Sequence, residues 1–233
     1  MTSNSLRIEW RACTDRGSVR EVNEDSFAAM PESGIWVVAD GMGGHERGDW
    51  ASACVVEEIE AVAPDDQFNI LLQNTSDAVH RANAAIYAES QTQGAHIGST
   101  VVSLVISRRR FGIIWAGDSR AYLLRDHVLH QLTRDHTQVQ ALVDRGILAP
   151  EDASTHPMSH VLSKAVGVEE ALELEGFADD MRSGDVFLLC SDGLYGTLAH
   201  AELQSIIEHY PPDECSQRLI SRCLEIGAKD NVT

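Results

Sequence analysis

Three apolar runs in this chain each lead straight to an aspartate. Residues 35–39 (Ile-Trp-Val-Val-Ala) precede Asp40-Gly41, residues 113–116 precede Gly117-Asp118-Ser119, and residues 186–190 precede Ser191-Asp192-Gly193. Short apolar runs bounded by turn residues predict buried strands, so each aspartate is expected at the rim of a sheet. Along the rest of the chain the same reading predicts strands over 8–13 and 26–30 around a loop at 14–25. A glycine-rich loop follows at 40–48. A helix is expected from near Asp49 to about residue 62, and a second over 76–90 with Val79, Ala82 and Ile86 on one face. The period then shortens to that of strands, over 99–107, 111–116, 121–125 and 127–132. A short helix is expected at 138–145. Residues 147–160 hold two prolines and two histidines without periodicity and read as a surface flap. Strands at 171–178 and 186–190 and amphipathic helices at 201–209 and 213–226 complete the pattern. Neighbouring strands with helices in blocks predict an α+β fold rather than an alternating α/β one.

Composition narrows this picture. The 233 residues fit one domain, since no Pro/Gly/Ser-rich linker interrupts them, and 43% hydrophobic content supplies a sizeable core. A formal net charge of −18, from 36 acidic against 18 basic residues, argues against nucleic acid or an anionic membrane as a partner. No apolar run is long enough to span a bilayer, and residues 1–10 lack a secretory core. Five widely spaced cysteines without a C-x-x-C pair fit a reduced, cytoplasmic protein whose thiols pack as small hydrophobes.

The candidate chemistry lies in the aspartates. Asp40, Asp118, Asp192 and, near the C-terminus, Asp230 are hard oxygen donors that repel one another unless a cation such as Mg²⁺, Mn²⁺ or Ca²⁺ joins them. Asp40-Gly41 is also a common turn dipeptide, but the other three aspartates in similar contexts favour the metal reading. In the loop at 14–25, Arg20 suits a bidentate grip on phosphate, and Glu24 or Asp25 could complete a metal site. An exposed, salt-bridged loop accounts for that segment equally well. His45, five residues beyond Asp40, is a candidate proton donor among ten histidines, most of which need no role. The loop Gly41-Met-Gly-Gly44 matches neither phosphate-binding glycine signature.

A larger constellation adds to this. Glu24-Asp25, Val37-Val-Ala-Asp40-Gly41-Met-Gly-Gly44, Gly98-Ser-Thr100, Gly117-Asp118-Ser119-Arg120, Leu162-Ser-Lys-Ala-Val-Gly167, Leu189-Cys-Ser-Asp192-Gly193-Leu194 and Asp230-Asn231 occur in this order. Together, over nearly the whole chain, they resemble the metal-dependent protein serine/threonine phosphatases of type 2C (the PPM family), in particular the compact bacterial branch. The resemblance implies a sandwich of two antiparallel β-sheets flanked by helices, with a pair of Mn²⁺ or Mg²⁺ ions at one end and a metal-bridging hydroxide as nucleophile. Asp40 would bridge both ions. Asp192 and Asp230 would hold one, and the Gly41 carbonyl would serve the other with Glu24 and Asp25 close by. Asp118 matches the ligand of a third ion, and Arg20 the arginine that binds substrate phosphate. Residues 147–167 correspond to the flap beside the site. The implied partners are phosphorylated proteins and the Ser/Thr kinase that modifies them, with the phosphatase a monomer.

The chain also departs from the family pattern. Met42 stands where many eukaryotic members carry histidine after Asp-Gly, which leaves the proton-donor role to His45. Lys164 replaces a frequent arginine, and Thr233 falls where the family continues into a final apolar strand. The pattern Gly34-Ile-Trp-Val-Val-Ala-Asp-Gly-Met-Gly-Gly-His45 and the segment His156-Pro-x-Ser-His-Val-Leu162 look like phosphatases paired with a kinase in type VI secretion regulation. The alternatives are a phosphatase-like module that binds phosphoproteins without turnover and a hydrolase of small phosphate esters. Intact Asp40, Asp192 and Asp230 disfavour the first, and the missing nucleotide loop disfavours the second.

Overall fold

The computed structural model describes residues 7–43 and 47–233, the side chain of Ser154 excepted. Among the described residues, nine strands and six α-helices alternate in blocks. In chain order they are β1 (Asp25–Met30), β2 (Ile35–Met42), α1 (Gly48–Glu60), α2 (Phe68–Gln93), β3 (Gly98–Ser99), β4 (Val101–Ser107), β5 (Arg110–Ala116), β6 (Arg120–Arg125), β7 (Val128–Gln131), α3 (Gln138–Asp144), β8 (Glu175–Asp180), β9 (Val186–Cys190), α4 (Asp192–Tyr195), α5 (His200–His209) and α6 (Pro212–Ile226). A 3₁₀ turn, Pro150–Thr155, sits inside the expected flap.

Two antiparallel sheets form the centre. One has the order β1-β2-β4-β5-β8 with the short β3 beside β2, and the other the order β7-β6-β9. Alternation along each strand divides the core. Ile35, Val37 and Ala39 of β2 turn outward and pack with Val55, Ile59, Val79, Ala82 and Ile86 of α1 and α2. Trp36 and Val38 turn inward and meet Leu104, Phe111, Ile113 and Leu123 between the sheets. The opposite face of the small sheet, Tyr122, Leu124 and Cys190, packs with Leu203, Ile207, Leu219 and Cys223 of α5 and α6. Each fully buried aliphatic side chain contributes roughly 1.5–3 kcal/mol, so this four-layer helix–sheet–sheet–helix stack holds the strand ends firmly. The α+β sandwich is the architecture expected.

Three elements differ from expectation. Residues 8–13 form no ladder. They run along a cleft of about 810 Å³ lined by Phe27, Trp36, Phe187, Leu189, Cys215 and Leu219, and the first pairing of this segment is the isolated bridge Asp15–Val232. No strand among the described residues lies along the second edge of β9, and the indole Nε1 of Trp36 finds no partner there. Helix α2 begins eight residues early, at Phe68 rather than at residue 76. The polar stretch Asn74-Thr-Ser76 lies inside the helix, where the Thr75 hydroxyl donates back to the Leu71 carbonyl at 2.8 Å. Strand β8 starts at Glu175, not at residue 171. Its partner β5 ends at Ala116 and the register pairs Trp115 with Glu175, so earlier residues have no ladder to join. Leu172 and Leu174 pack instead with the α1–α2 core.

Candidate metal centre

Strand β2 does not stop before its aspartate. It carries Asp40 and Gly41 as ladder residues, and Asp25 at the start of β1 is the residue directly opposite Asp40. Opposed residues leave an antiparallel pair on the same face, with β-carbons roughly 4.5–5.5 Å apart, and like charges there are destabilising. Asp118 lies in the turn between β5 and β6, Asp192 opens α4 after β9, and Asp230 lies just before Asn231.

These side chains share one electrostatic environment. Burial, reinforced by Asp25, Asp192, Asp118 and Asp230, pushes the Asp40 carboxyl well above its ordinary range. Burial also raises Asp118 to about 7, with Asp192 and Asp135 adding to it, and raises Asp192, with Asp230 adding to it. Asp25 rises to about 6 through burial, although its Oδ2 accepts from the hydroxyls of Ser191 and Thr233 at 2.7 Å each. Glu24 is raised by burial against the opposing pull of Arg20.

Backbone contacts lock the positions. The Thr100 hydroxyl accepts from the Asp40 N–H at 2.9 Å and shares a hydrogen with Ser119 Oγ at 2.6 Å, tying the end of β2 to the Asp118 turn. Asn231 is the staple for the N-terminal loop. Its Oδ1 accepts from the Glu24 N–H at 2.8 Å, and its Nδ2 donates to the carbonyls of Arg16 and Val22 at 3.0 Å each. Two glycines permit the close approach. A β-carbon on Gly41 would fall 1.9 Å from the Gly48 carbonyl oxygen, and one on Gly193 1.9 Å from the Asn231 carbonyl oxygen.

Arg20 is exposed on its loop, with Nη2 donating to Asp230 Oδ2 at 2.7 Å. The flap is tied down at its feet, Gln138 N–H to the Val161 carbonyl at 2.8 Å and Ser99 to Val166 in both directions. It carries His160, whose Nδ1 is 3.9 Å from Asp192 Oδ2. Lys164 stands 3.7 Å from Glu175 at the base of the flap. His45 lies outside the described residues. Sequence reasoning placed Thr100, Arg120, Ser191 and Asn231 within motifs without assigning them work, and it passed over Tyr195. A short polar side chain beside a candidate acid was the signal available for Ser191 and Asn231.

A hard divalent cation fits this arrangement. Asp25 Oδ1 is buried without a hydrogen-bond partner among the described residues, and mutually raised carboxylates are stabilised by positive charge. No three Asp, Glu, His or Cys side chains among the described residues converge into a closed cage. An ion here would therefore draw on carbonyl and water oxygens as well, which is the habit of Mg²⁺ and similar ions.

The family profile described as protein phosphatase 2C matches residues 14–222. The chain belongs to that metal-dependent family and is a protein-serine/threonine phosphatase. It is 36% identical over 239 residues to the serine/threonine phosphatase stp of Listeria monocytogenes, covering 98% of this chain and 94% of that protein. Among solved structures it superposes on PppA, a key regulatory component of the type VI secretion system in Pseudomonas aeruginosa, with TM-score 0.88 and 38% identity over 94% and 92% of the two chains. It is similar also to the catalytic domain of the serine/threonine phosphatase PstP in complex with two manganese ions, with TM-score 0.85 and 34% identity over 96% and 94%. No helix among the described residues is long and apolar enough to cross a membrane.

Proposed function

We propose that this chain removes phosphate from serine and threonine side chains that a protein kinase has modified, with Mn²⁺ or Mg²⁺ held by its carboxylates. The observation that carries the reading is the opposed pair Asp25–Asp40 with Asp118 and Asp192, four carboxyls raised by burial and by the charge of neighbouring aspartates, Asp230 among those neighbours. Asp40, Asp192 and Asp230 would hold a pair of ions, with the Gly41 carbonyl, Glu24 and Asp25 close by, and Asp118 would serve a third. When bound, such ions draw phosphate oxygens inward and acidify water so that a nucleophile is available at neutral pH.

The chain's own residues do the positioning. Arg20, free to swing on an exposed loop, grips the phosphate through its planar fork and offsets charge that builds up as the ester bond breaks. Asp230, now its partner, sets where that fork starts. His45 supplies the proton to the departing serine or threonine oxygen. The flap bearing His160 covers one side of the site and meets the residues around the phosphorylated position. The structural likeness to PppA, a key regulatory component of a type VI secretion system, supports a role in secretion control; opposition to a kinase there and a cytoplasmic, monomeric state belong to the same proposal.

The test is phosphate release from a phosphothreonine peptide by the purified protein with EDTA, Mg²⁺ or Mn²⁺. Release only with added metal supports the reading. Release that persists unchanged in EDTA after exhaustive dialysis, or none with any metal while phosphopeptide still binds, overturns it.

A further inference from the structure

The turn that carries Asp118 is held from the far side by a side chain of the neighbouring ligand-bearing turn. Tyr195 lies three residues after Asp192, about one turn on in α4. Its hydroxyl donates to the Asp118 carbonyl oxygen at 3.0 Å. Above its ring, with the guanidinium carbon 3.5 Å from the centroid, lies Arg120, which follows Asp118 by two residues. These contacts close a small ring: from the Asp118 turn through Arg120 to the Tyr195 ring, and from its hydroxyl back to Asp118.

The ring is anchored rather than loose. Arg120 donates Nε and Nη2 to the two oxygens of Asp135 at 2.9 and 2.6 Å, and Nη1 to the Tyr122 hydroxyl at 3.1 Å. A planar guanidinium held in this fork cannot turn away from the ring without losing those bonds. The next residue, His136, grips Gly117 in both directions. Its backbone N–H donates to the Gly117 carbonyl at 2.9 Å, and its Nδ1 accepts the Gly117 N–H at 3.1 Å. On the other flank Ser119 is tied to Thr100. Among the described residues, the bonds from Gly117, the Asp118 carbonyl and the Ser119 hydroxyl thus lead to elements fixed elsewhere, and the Tyr195 bond runs to the helix carrying Asp192.

We infer that Tyr195, with Arg120 stacked on its ring, is a positioning residue that sets the distance between the Asp118 and Asp192 turns and so tunes how tightly a divalent cation is held at Asp118. The inference rests on the reading of Asp118 and Asp192 as metal ligands. Tyr195 touches neither carboxylate and no reacting atom. Its influence passes through the backbone of the Asp118 turn.

The experiment is Mn²⁺ binding by titration calorimetry and electron paramagnetic resonance to the wild-type chain, Tyr195→Phe and Asp118→Asn, with urea unfolding of each. Phenylalanine keeps the ring and the Arg120 stack and removes only the hydroxyl. Losing one neutral hydrogen bond of about 0.5–1.5 kcal/mol corresponds to roughly a 2–13-fold change in affinity. Tyr195→Phe should weaken by that factor the same class of sites that Asp118→Asn abolishes, while leaving the tighter class in place. The Mn²⁺ concentration giving half-maximal phosphatase activity should rise in parallel, and excess Mn²⁺ should restore turnover. A Tyr195→Phe isotherm that superimposes on the wild type overturns the inference. So does uniform weakening of every site together with a lowered urea midpoint, which a merely structural role would produce. A wild-type chain that binds no Mn²⁺ overturns instead the metal reading of the site.

Discussion

An aspartate and an asparagine fill nearly the same space, so exchanging one for the other at position 192 isolates the charge. Asp192→Asn is expected to lower phosphopeptide turnover at saturating Mn²⁺ by more than the roughly 10–100-fold that loss of a supporting partner of a ligand costs. Steady-state rates at several Mn²⁺ concentrations check this, and near-normal turnover would remove Asp192 from the ligand set. The proton donor is tested by a contrast of substrates. Nitrophenolate leaves without help, whereas a serine alkoxide needs a proton. His45→Ala should therefore slow hydrolysis of a phosphoserine peptide far more than that of p-nitrophenyl phosphate, and equal losses on both would exclude His45 from that role. At this scale Asp40, Asp118 and Asp192 were legible in the chain because each follows an apolar run, whereas Asp25 and Asp230 have no such run before them. Their supports were not, because a serine at 191 or a tyrosine at 195 becomes informative only once folding brings Asp25 or Asp118 against it.

Elements carried their own record of success and failure. The pattern located β1, β2, β4 to β7, β9, α1, α5 and α6 because each buries a face that its own spacing displays. It misplaced β8, where an alternating stretch outruns the length of its partner β5. It gave residues 8–13 a strand that has no neighbour to pair with among the described residues. An ion pair at the open ends of β6 and β8 yields a prediction of its own. Arg125, near the end of β6, donates Nε and Nη2 to the two oxygens of Asp185, at 2.9 and 2.7 Å, and Asp185 also accepts from the Arg182 N–H at 2.8 Å. Burial alone would raise the Asp185 carboxyl, but these donors outweigh it and hold the group below its ordinary value. A carboxyl depressed on folding stabilises the protein above the unfolded value, about 4, and that contribution disappears as pH falls through the lower folded value. Asp185→Asn should thus lower stability at pH 7 by about 1.5–3 kcal/mol, the range for hydrogen bonds to a charged group. Urea midpoints of variant and wild type should approach one another as the medium is acidified below pH 4. A gap of constant size down to pH 2 would contradict this account.

For the whole molecule the two sheets are unequal, and the uncovered part of the larger one faces the cleft beside β9. Phe27, Trp36, Phe187 and Leu189 give it an apolar wall beside an edge of β9 that no strand among the described residues pairs, a combination that attracts apolar ligands and extended chains. The native protein at pH 7 is accordingly expected to enhance the fluorescence of anilinonaphthalene sulfonate, and Ala29→Glu on the cleft wall should abolish most of that signal. An unchanged signal in the variant would place the dye elsewhere. The long-range ties at the metal centre bear on how the protein comes into being. Glu24 and Asp25 are fastened to Asn231 and Thr233, 207 and 208 positions further along the chain. A ribosome adding roughly 5–20 residues each second leaves the first carboxylates waiting about 10–40 s for the last. If Asp230 is the ligand proposed above, no nascent fragment strips phosphate from its surroundings during that interval, activity arrives only after Asp230 clears the exit tunnel, and a product of premature termination before it is silent rather than partly active.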